Sequence, residues 1–312
     1  MSIETIPIAT DDPVNAQILS VSEDKIQGFH RNPIREIADQ SGVAVDDVVA
    51  RIRAMLEGGT IRRVRQTLMA TNLAPGALVA WQVPEERLSE IFDWMFQQDP
   101  FSGHVVIRTT DEGKTGARYR LWTTVKVPKP YSIEKHCELL CEKTGAMTFR
   151  LMPAKSIFAL GVGHVRRRTM ETGSKSEAPA EPRQVEVVDL SDLDWQVLMA
   201  LKREFAAAEI QDDPWANRAE EAGMPIEQFY EVAEDLQSRK VVGRFSTFLE
   251  HSKELKTGER VTRYNALFHW AVPKGREIEA GCEVGRHHIM THCYWREGGP
   301  EFGDANIMGV VH

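Results

Sequence analysis

Histidine and arginine recur at matching positions in two strand-like segments of this 312-residue sequence. In SGHVVIR they are His104 and Arg108, and in THCYWR they are His292 and Arg296. Side chains two residues apart on a strand share a face, so each pair points one way, and Tyr294 joins the second pair. Histidine can act as a general acid or ligate a metal ion, and arginine binds carboxylates. These two segments are therefore the first candidates for chemistry.

Further basic and aromatic residues alternate on neighbouring strand-like segments. Arg118, Arg120 and Trp122 are spaced two apart in RYRLW, and Arg63 and Arg65 alternate in IRRVRQTLM. If they join the same face, one surface holds histidine, several arginines and an indole ring. Such a surface suits a flat, aromatic polyanion, because guanidinium groups pair with carboxylates and an indole stacks on a macrocycle. Two alternatives stay open: an interface network between modules for the His/Arg face, and a solvated strand edge for Arg63 and Arg65.

The elements that must position these residues occur twice. Residues 33–64 align with residues 214–245 at a shift of 181 positions, which pairs Gly42 with Gly223. Each copy predicts a helix, a glycine-containing turn, a second helix and a strand, which is a winged helix-turn-helix pattern. Further on, ALVAWQVP resembles ALFHWAVP, and the first copy continues in the order strand, helix, strand, strand, helix, strand. That order is the ferredoxin-like pattern.

We therefore predict an α+β fold: a tandem repeat of a winged helix-turn-helix plus a ferredoxin-like (βαββαβ) sheet domain. The last strand of the first copy is predicted over MTFRLMPAKSIFAL, residues 147–160. The second copy is shortened at its C-terminus, so either the chain is truncated there or a neighbour completes its sheet. The predicted boundaries are 14–60 and 187–241 for the helix-turn-helix units, 61–168 and 242–312 for the sheet domains, and 169–186 for a flexible linker.

The composition argues against several classes of function. The net charge is −8, whereas DNA binding relies on lysine and arginine placed on phosphates. The second helix of the first copy carries Arg51 and Arg53 beside aspartates, and its counterpart PIEQFYEVAEDLQ has no basic residue, so these helices more plausibly hold the modules together than read DNA. No apolar stretch approaches the roughly 20 residues of a membrane span, the N-terminus lacks a secretory signal, and we expect a cytoplasmic protein.

At this point the local motifs resemble those of a known family. The motifs are GTIRRVRQTLMA, ALVAWQVPEERL, SGHVVIR and YRLWTTVKVP in the first copy, and VVGRFSTFLEH, YNALFHWAVP, THCYWRE and ANIMGVVH in the second. Together they resemble the siroheme decarboxylase branch of the leucine-responsive regulatory protein/AsnC family, which acts in alternative haem and haem d1 synthesis. THCYWR fits the family pattern S-H-N-Y-x-R better than SGHVVIR, in which Val105 and Val106 replace Asn-Tyr.

The resemblance implies an activity and an assembly. The activity is the removal of the C12 and C18 acetate carboxyls of sirohaem, giving 12,18-didecarboxysirohaem, with no cofactor required and the iron tetrapyrrole as bound substrate or product. The family usually supplies two related subunits that form a heterodimer, so we expect the two halves of this chain to pair as a pseudo-heterodimer. Further homodimerisation stays open, and we expect neither a membrane partner nor DNA.

The resemblance also assigns roles to residues. It implies catalytic roles for His292 and Arg296 and, in the first copy, for His104 and Arg108, with His292 also a candidate ligand of the haem iron and no protein metal site. The candidate substrate-binding residues are Arg63, Arg65, Arg118, Arg120, Trp122, Arg244 and Tyr294. Which copy is active stays open. The alternative functions are a non-catalytic haem or tetrapyrrole-binding sensor and an Lrp/AsnC-type transcriptional regulator.

Overall fold

The computed structural model describes residues 6–73, 76–128, 131–161, 163–168, 170–250, 254–258, 260–262 and 264–311. The helices are α1 (Pro13–Ser22), α2 (Pro33–Ser41), α3 (Val45–Gly58), α4 (Ala70–Leu73), α5 (Leu88–Gln97), α6 (Ile133–Thr144), α7 (His164–Arg167), α8 (Asp192–Lys202), α9 (Ala216–Glu221), α10 (Ile226–Ser238) and α11 (Glu277–Gly285). The strands are β1 (Ile61–Leu68), β2 (Gly76–Gln82), β3 (Ser102–Ile107), β4 (Tyr119–Lys126), β5 (Thr148–Pro153), β6 (Ser156–Leu160), β7 (Arg183–Gln184), β8 (Val242–Leu249), β9 (Ala266–Trp270), β10 (Met290–Trp295) and β11 (Ile307–Val311). The predicted α+β fold is confirmed.

The helical units of the two halves pack into one core. Helices α1 to α3 precede β1, and helices α8 to α10 precede β8. The matched glycines Gly42 and Gly223 both have a left-handed backbone, with φ of 71° and 67°, which a residue without a Cβ adopts at little cost. Strands β1 and β8 pair antiparallel, with Val64 opposite Thr247. Buried residues of both helical units share one apolar cluster, among them Ile18, Ile37, Ile52, Leu198, Phe229 and Leu236.

The first sheet has the strand order β3-β4-β2-β5. The four strands follow one another in the chain as β2, β3, β4 and β5. Helix α5 lies between β2 and β3, and helix α6 lies between β4 and β5. Their apolar side chains pack on one face of the sheet, where Leu88 and Leu140 join buried residues of β2 and β4. Trp81 lies in this core, and its Nε1 donates to Thr123 Oγ1 at 3.0 Å. The opposite face of the first sheet carries no helix of its own.

The second sheet has the order β7-β6-β10-β11-β9 and contains a strand from the first half. The strand predicted over residues 147–160 is in fact two strands, and the prediction of a single strand was wrong. The extended segment is interrupted at Ala154 and Lys155. β5 stays in the first sheet, while β6 pairs with β10, with Ala159 opposite Cys293. Pro153 ends β5 because proline has no N–H for the ladder. The first half itself therefore extends the second sheet, at the β10 edge.

The described residues of the predicted linker, 169–186, pack along the second sheet domain. Ser176 N–H donates to Arg286 O at 3.1 Å and Ala180 N–H donates to Cys282 O at 3.0 Å. These carbonyls belong to the end of α11, where no further helical turn supplies donors. Strand β7 then pairs with β6. Strand β1, which the predicted boundaries place in a sheet domain, instead pairs with β8 of the other half.

Across the described ranges, no helix combines the length and the apolar character needed to cross a membrane. The cytoplasmic location stays a prediction.

The packing of β6 on α11 gives a stability test. A Cβ on Gly281 would lie 2.1 Å from the Phe158 ring, so Gly281→Ala should lower the free energy of unfolding by about 1–3 kcal/mol. Phe158→Ala should lower it by about 3–5 kcal/mol and make room for the new methyl, so the double variant should lose less than the sum. Guanidinium unfolding measures all three, with the exposed Glu279→Ala on the same helix as control. Additive losses would contradict this packing.

Candidate functional site

The two sheets face each other with the sides that carry no helices. Trp122 of β4 packs against Phe302 of the second half, with ring centroids 5.4 Å apart. The apolar contact between the halves is formed by Ala80, Tyr119, Trp122, Met152, Phe302 and Met308. The open face of each sheet, on which the His/Arg pairs were predicted to lie, is therefore turned towards the other half of the chain.

On β10 the predicted alternation is present. Cys293 and Trp295 pack with residues of α11, so His292, Tyr294 and Arg296 lie on the opposite face. The rings of His292 and Tyr294 are stacked, with centroids 6.2 Å apart and an interplanar angle of 20°. The Arg296 guanidinium carbon lies 4.4 Å from the Tyr294 ring centroid. The three side chains form one continuous row between the sheets.

Arg296 links the two sheets. Its side chain is buried, and its Nη1 donates to Met152 O on β5 of the first sheet. Burial lowers the pKa of the Arg296 guanidinium, and the nearby Tyr294 hydroxyl opposes that shift. Burial also raises the pKa of Tyr294, so the phenol keeps its proton. Arg296 thus has an interface role in addition to its positive charge.

On β3, His104 lies beside several cations. Its backbone N–H donates to Thr124 Oγ1 at 2.9 Å, which places it next to the open face of β4. His104 is exposed to solvent. Desolvation by the surrounding protein, and then the charges of Lys126 and Arg63, lower the pKa of its imidazole. Burial, Arg296 and Lys202 likewise lower the pKa of Lys126 to about 8. The side chains of both halves therefore meet around Lys126.

Cationic side chains from five elements converge on this region. We call the following group the cation cluster: Arg63, Arg65, Lys126, Lys202, Arg244 and Arg296. The Arg63, Arg65 and Arg244 guanidinium carbons surround the Phe248 ring at 5.5, 5.4 and 5.8 Å from its centroid. Arg244 is buried and its Nε donates to Glu23 O at 3.2 Å. Burial is the main cause that lowers the pKa of both Arg65 and Arg244.

Part of the cation cluster has no counter-ion within the described residues. Arg63 pairs with Glu204 at 3.1 Å, but among these residues Arg65, Lys126 and Lys202 form no ion pair. The Arg65 Nε is buried without a hydrogen-bond partner in that part of the chain. Uncompensated charges of one sign raise the free energy of a protein unless an anion joins them. The cluster is therefore suited to a ligand with several carboxylates.

Other predicted site residues lie elsewhere. Arg108 Nη1 donates to Asn265 Oδ1 at 3.2 Å, and Arg120 pairs with Glu85 at 2.8 Å. On β4, Arg120 lies six residues from Lys126, about 20 Å along a strand. Arg118 precedes β4 and is exposed. These arginines therefore lie apart from Lys126, while Trp122 packs in the apolar contact between the halves, and the substrate-binding roles of Arg118, Arg120 and Trp122 remain predictions.

A register shift in β4 and the packing of Trp122 explain why these residues lie apart from the cation cluster. The pairing of β2 with β4 shifts register between Trp81 and Gln82, which interrupts the alternation at Tyr119 and brings Tyr119 into the apolar contact with Phe302. Trp122 lies in the same contact, 5.8 Å from the His269 ring. Burial and the charge of Arg108 lower the pKa of His269 to about 4. This end of the interface is largely apolar, and His269 is neutral there near pH 7.

Sequence reasoning missed two members of the cation cluster. Lys126 shares a strand face with Trp122, and the same alternation that singled out Trp122 could have found it. Lys202 ends α8 and has no such signal, because its closeness to Lys126 depends on how the two halves pack. Within the described part of the chain, no group of three His, Cys, Asp or Glu side chains could hold a metal ion.

The pKa of Lys126 gives a test of anion binding. Lys126 is charged below pH 8 and loses its charge as the pH rises through about 8. Uroporphyrin, a porphyrin with several carboxylates, should therefore bind more weakly above that pH. Lys126→Met should weaken binding about tenfold near neutral pH, as expected for a charge-assisted contact of about 1.5 kcal/mol, and should lose this pH step. Lys126→Arg should bind equally on both sides of it. Fluorescence titration measures the dissociation constants, and an unchanged pH step in Lys126→Met would contradict the assignment.

Comparison with known proteins extends the description. A model of the AsnC-like ligand binding domain matches residues 73–159. The siroheme decarboxylase of Hydrogenobacter thermophilus is 22% identical over 289 residues, which are 90% of this chain and 78% of that protein. The siroheme decarboxylase beta subunit of Methanosarcina barkeri is 25% identical over 142 residues, which are 45% of this chain and 90% of that subunit.

A solved structure has the same fold. The crystal structure of the siroheme decarboxylase NirDL in co-complex with an iron-uroporphyrin III analogue superposes with a TM-score of 0.64 at 18% sequence identity, and the match covers 96% of this chain and 81% of that chain. The similarity thus includes both halves and the segment between them. The resemblance to the siroheme decarboxylases, first indicated by the strand motifs, is confirmed over most of the chain.

Proposed function

We propose that this chain is a siroheme decarboxylase in which the two halves form one substrate site between them. The observation that carries the proposal is the cation cluster, in which Arg65, Lys126 and Lys202 form no ion pair with a described residue. His104 lies near Lys126 and Arg65, and Tyr294 lies near Arg244 and Arg296. Sirohaem is a flat tetrapyrrole with several carboxylates. The charge of sirohaem is complementary to that of the cluster. Two relatives that align with 90% and 92% of this chain carry this activity in their names.

We also propose a domain organisation for the chain. The chain is a tandem pair of winged helix-turn-helix and ferredoxin-like units, divided near residues 60, 168, 186 and 241, and the halves act as a pseudo-heterodimer. The pairing of β1 with β8 and of β6 with β10 supports this, because each joins one half to the other through backbone hydrogen bonds. The match of a beta subunit to less than half of this chain supports it as well.

The reaction assigns tasks to the residues present. Breaking the bond between an acetate methylene and its carboxylate releases CO₂ and leaves an electron pair on carbon, which the macrocycle delocalises until the carbon takes up a proton. Arginine and lysine of the cation cluster hold the carboxylates that stay. We propose that His104 and Tyr294 supply the proton. We propose that 12,18-didecarboxysirohaem is the product and that no further cofactor takes part.

The electrostatics of His104 couple proton supply to substrate binding. The neighbouring cations, together with burial, lower the pKa of the free imidazole. Carboxylates that arrive at the cluster oppose those cations, so the proton affinity of His104 rises as the substrate binds. Tyr294 retains its phenol proton because burial raises its pKa. Catalytic roles for His292, Arg296 and Arg108, and iron ligation by His292, remain predictions.

The alternative functions differ in their support. A tetrapyrrole sensor without turnover needs the same cation cluster, and only the reaction distinguishes it. A DNA-binding regulator is less well supported, because the basic residues of α3 are engaged within the protein: Arg51 Nη1 donates to Asp12 Oδ1 at 2.7 Å and Arg53 Nε donates to Ile210 O at 2.9 Å. We therefore propose that α3 stabilises the core.

Anaerobic incubation with sirohaem tests the proposed activity. Mass spectrometry should show a product that has lost two molecules of CO₂. His104→Asn and Tyr294→Phe should lower kcat by about 100-fold or more, the usual contribution of a general acid, with smaller effects on KM. Arg276→Ala, at the exposed residue just before α11, should retain the wild-type rate. Unchanged sirohaem with the wild-type protein, or full activity in both variants, would contradict the proposal.

A further inference from the structure

A large cavity lies beside the cation cluster, along one side of α8. Its volume is about 1010 Å³, which reaches the upper end of the roughly 300–1,000 Å³ typical of small-molecule pockets. Arg65 of β1 lines it, and so do Trp195, Met199 and Lys202 of α8. This cavity therefore connects a helix of the second half with the β1–β8 pair and with the cluster.

The wall formed by α8 is apolar and accessible. Trp195, Met199 and Lys202 follow one another at intervals of four and three residues, so they share one face of the helix. Trp195 is 43% exposed and Met199 is 59% exposed, although the other side of α8 is buried through Val197 and Leu201. An exposed indole and thioether side by side are suited to the face of a flat aromatic ring.

The wall is held in place before any ligand arrives. Ser191 and Asp194 form a capping box at the start of α8, with Asp194 N–H donating to Ser191 Oγ at 3.2 Å. The Asp194 carboxylate also pairs with Arg239 of the segment after α10 at 2.6 Å. The hydrogen bond from Arg239 is the main cause that lowers the pKa of Asp194. A helix fixed in this way presents its exposed face with little loss of conformational entropy on binding.

The charges around the cavity favour an anionic ligand at one end. Two of its three acidic lining residues are already neutralised, since Glu204 pairs with Arg63 and Glu221 pairs with Arg203. The third, Asp192, begins α8 and lies about 15 Å along the helix from Lys202. Lys202 and Arg65, in contrast, have no ion-pair partner among the described residues. Lys202 is also close enough to Lys126 to affect its ionisation, so the cavity and the cation cluster form one continuous surface.

We propose that the α8 face of Trp195, Met199 and Lys202 is the binding wall for the tetrapyrrole ring, and that Lys202 and Arg65 hold carboxylates at its edge. The indole and thioether contact the plane of the macrocycle, while the acetate that reacts points towards His104 and Tyr294. This assignment rests on the proposed function, because it names how that substrate is bound. It gives a helix of the second helix-turn-helix unit a ligand-binding role in place of a DNA-binding one.

Titration with iron uroporphyrin, followed by its absorbance, tests the wall. Trp195→Ala should raise the dissociation constant about tenfold, and Trp195→Phe should restore most of the affinity because it keeps an aromatic face. Lys202→Glu should raise it more than tenfold, with a weaker dependence on salt, since one ionic contact is lost. Leu193→Ala lies on the same helix outside the cavity lining and should bind as the wild type does. Unfolding curves of all variants establish that the fold is intact.

The outcomes separate this inference from the proposed function. If the wild type decarboxylates sirohaem while Trp195→Ala and Lys202→Glu bind iron uroporphyrin normally, the inference is overturned and the activity stands. If these two variants lose affinity but the wild type releases no CO₂, the binding wall stands and the activity is overturned. If iron uroporphyrin fails to bind the wild type, the inference is overturned.

Discussion

The passage of one strand from the first half into the second sheet is the constraint on which the rest of the structure depends. β5 and β6 are separated by two residues, yet they belong to different sheets. Such a short connection forces the sheets to lie next to each other, and the contact of Trp122 with Phe302 shows that their open faces are opposed. The row of His292, Tyr294 and Arg296 is thereby placed against the first sheet, and Arg296 reaches the Met152 carbonyl. The proposed site, to which both halves contribute, depends on this connection.

The second organising feature is electrostatic. Many arginines of this acidic protein have carboxylate partners, such as Arg239 with Asp194 and Arg203 with Glu209. Within the described part of the chain, Arg65, Lys126 and Lys202 of the cation cluster depart from that pattern, and they come from β1, β4 and α8. A buried or half-buried cation without a counter-ion destabilises the fold, so its persistence is best understood as a binding function. The apolar end of the same interface, around Trp122 and Phe302, supplies the packing that offsets this loss.

Much of this arrangement could be predicted from the sequence. The alternation of side chains on β10 needs no tertiary information, which is why Tyr294 and Arg296 were placed correctly on the open face. The same logic failed at Arg118, because a register shift in the β2–β4 pair interrupts the period of two. The crossing into β6 had one local signal, Pro153, which was not used. The contribution of Lys202 could not be predicted, since it arises from the packing of α8 against the other half.

The central claim is that the two halves build one tetrapyrrole site rather than one site each. The stoichiometry of binding tests this most directly, because a duplicated chain with two independent sites would take up two ligands. Titration of the full chain with iron uroporphyrin at protein concentrations well above the dissociation constant gives the number of equivalents bound. The account predicts an end point at one equivalent per chain. An end point at two equivalents would contradict it.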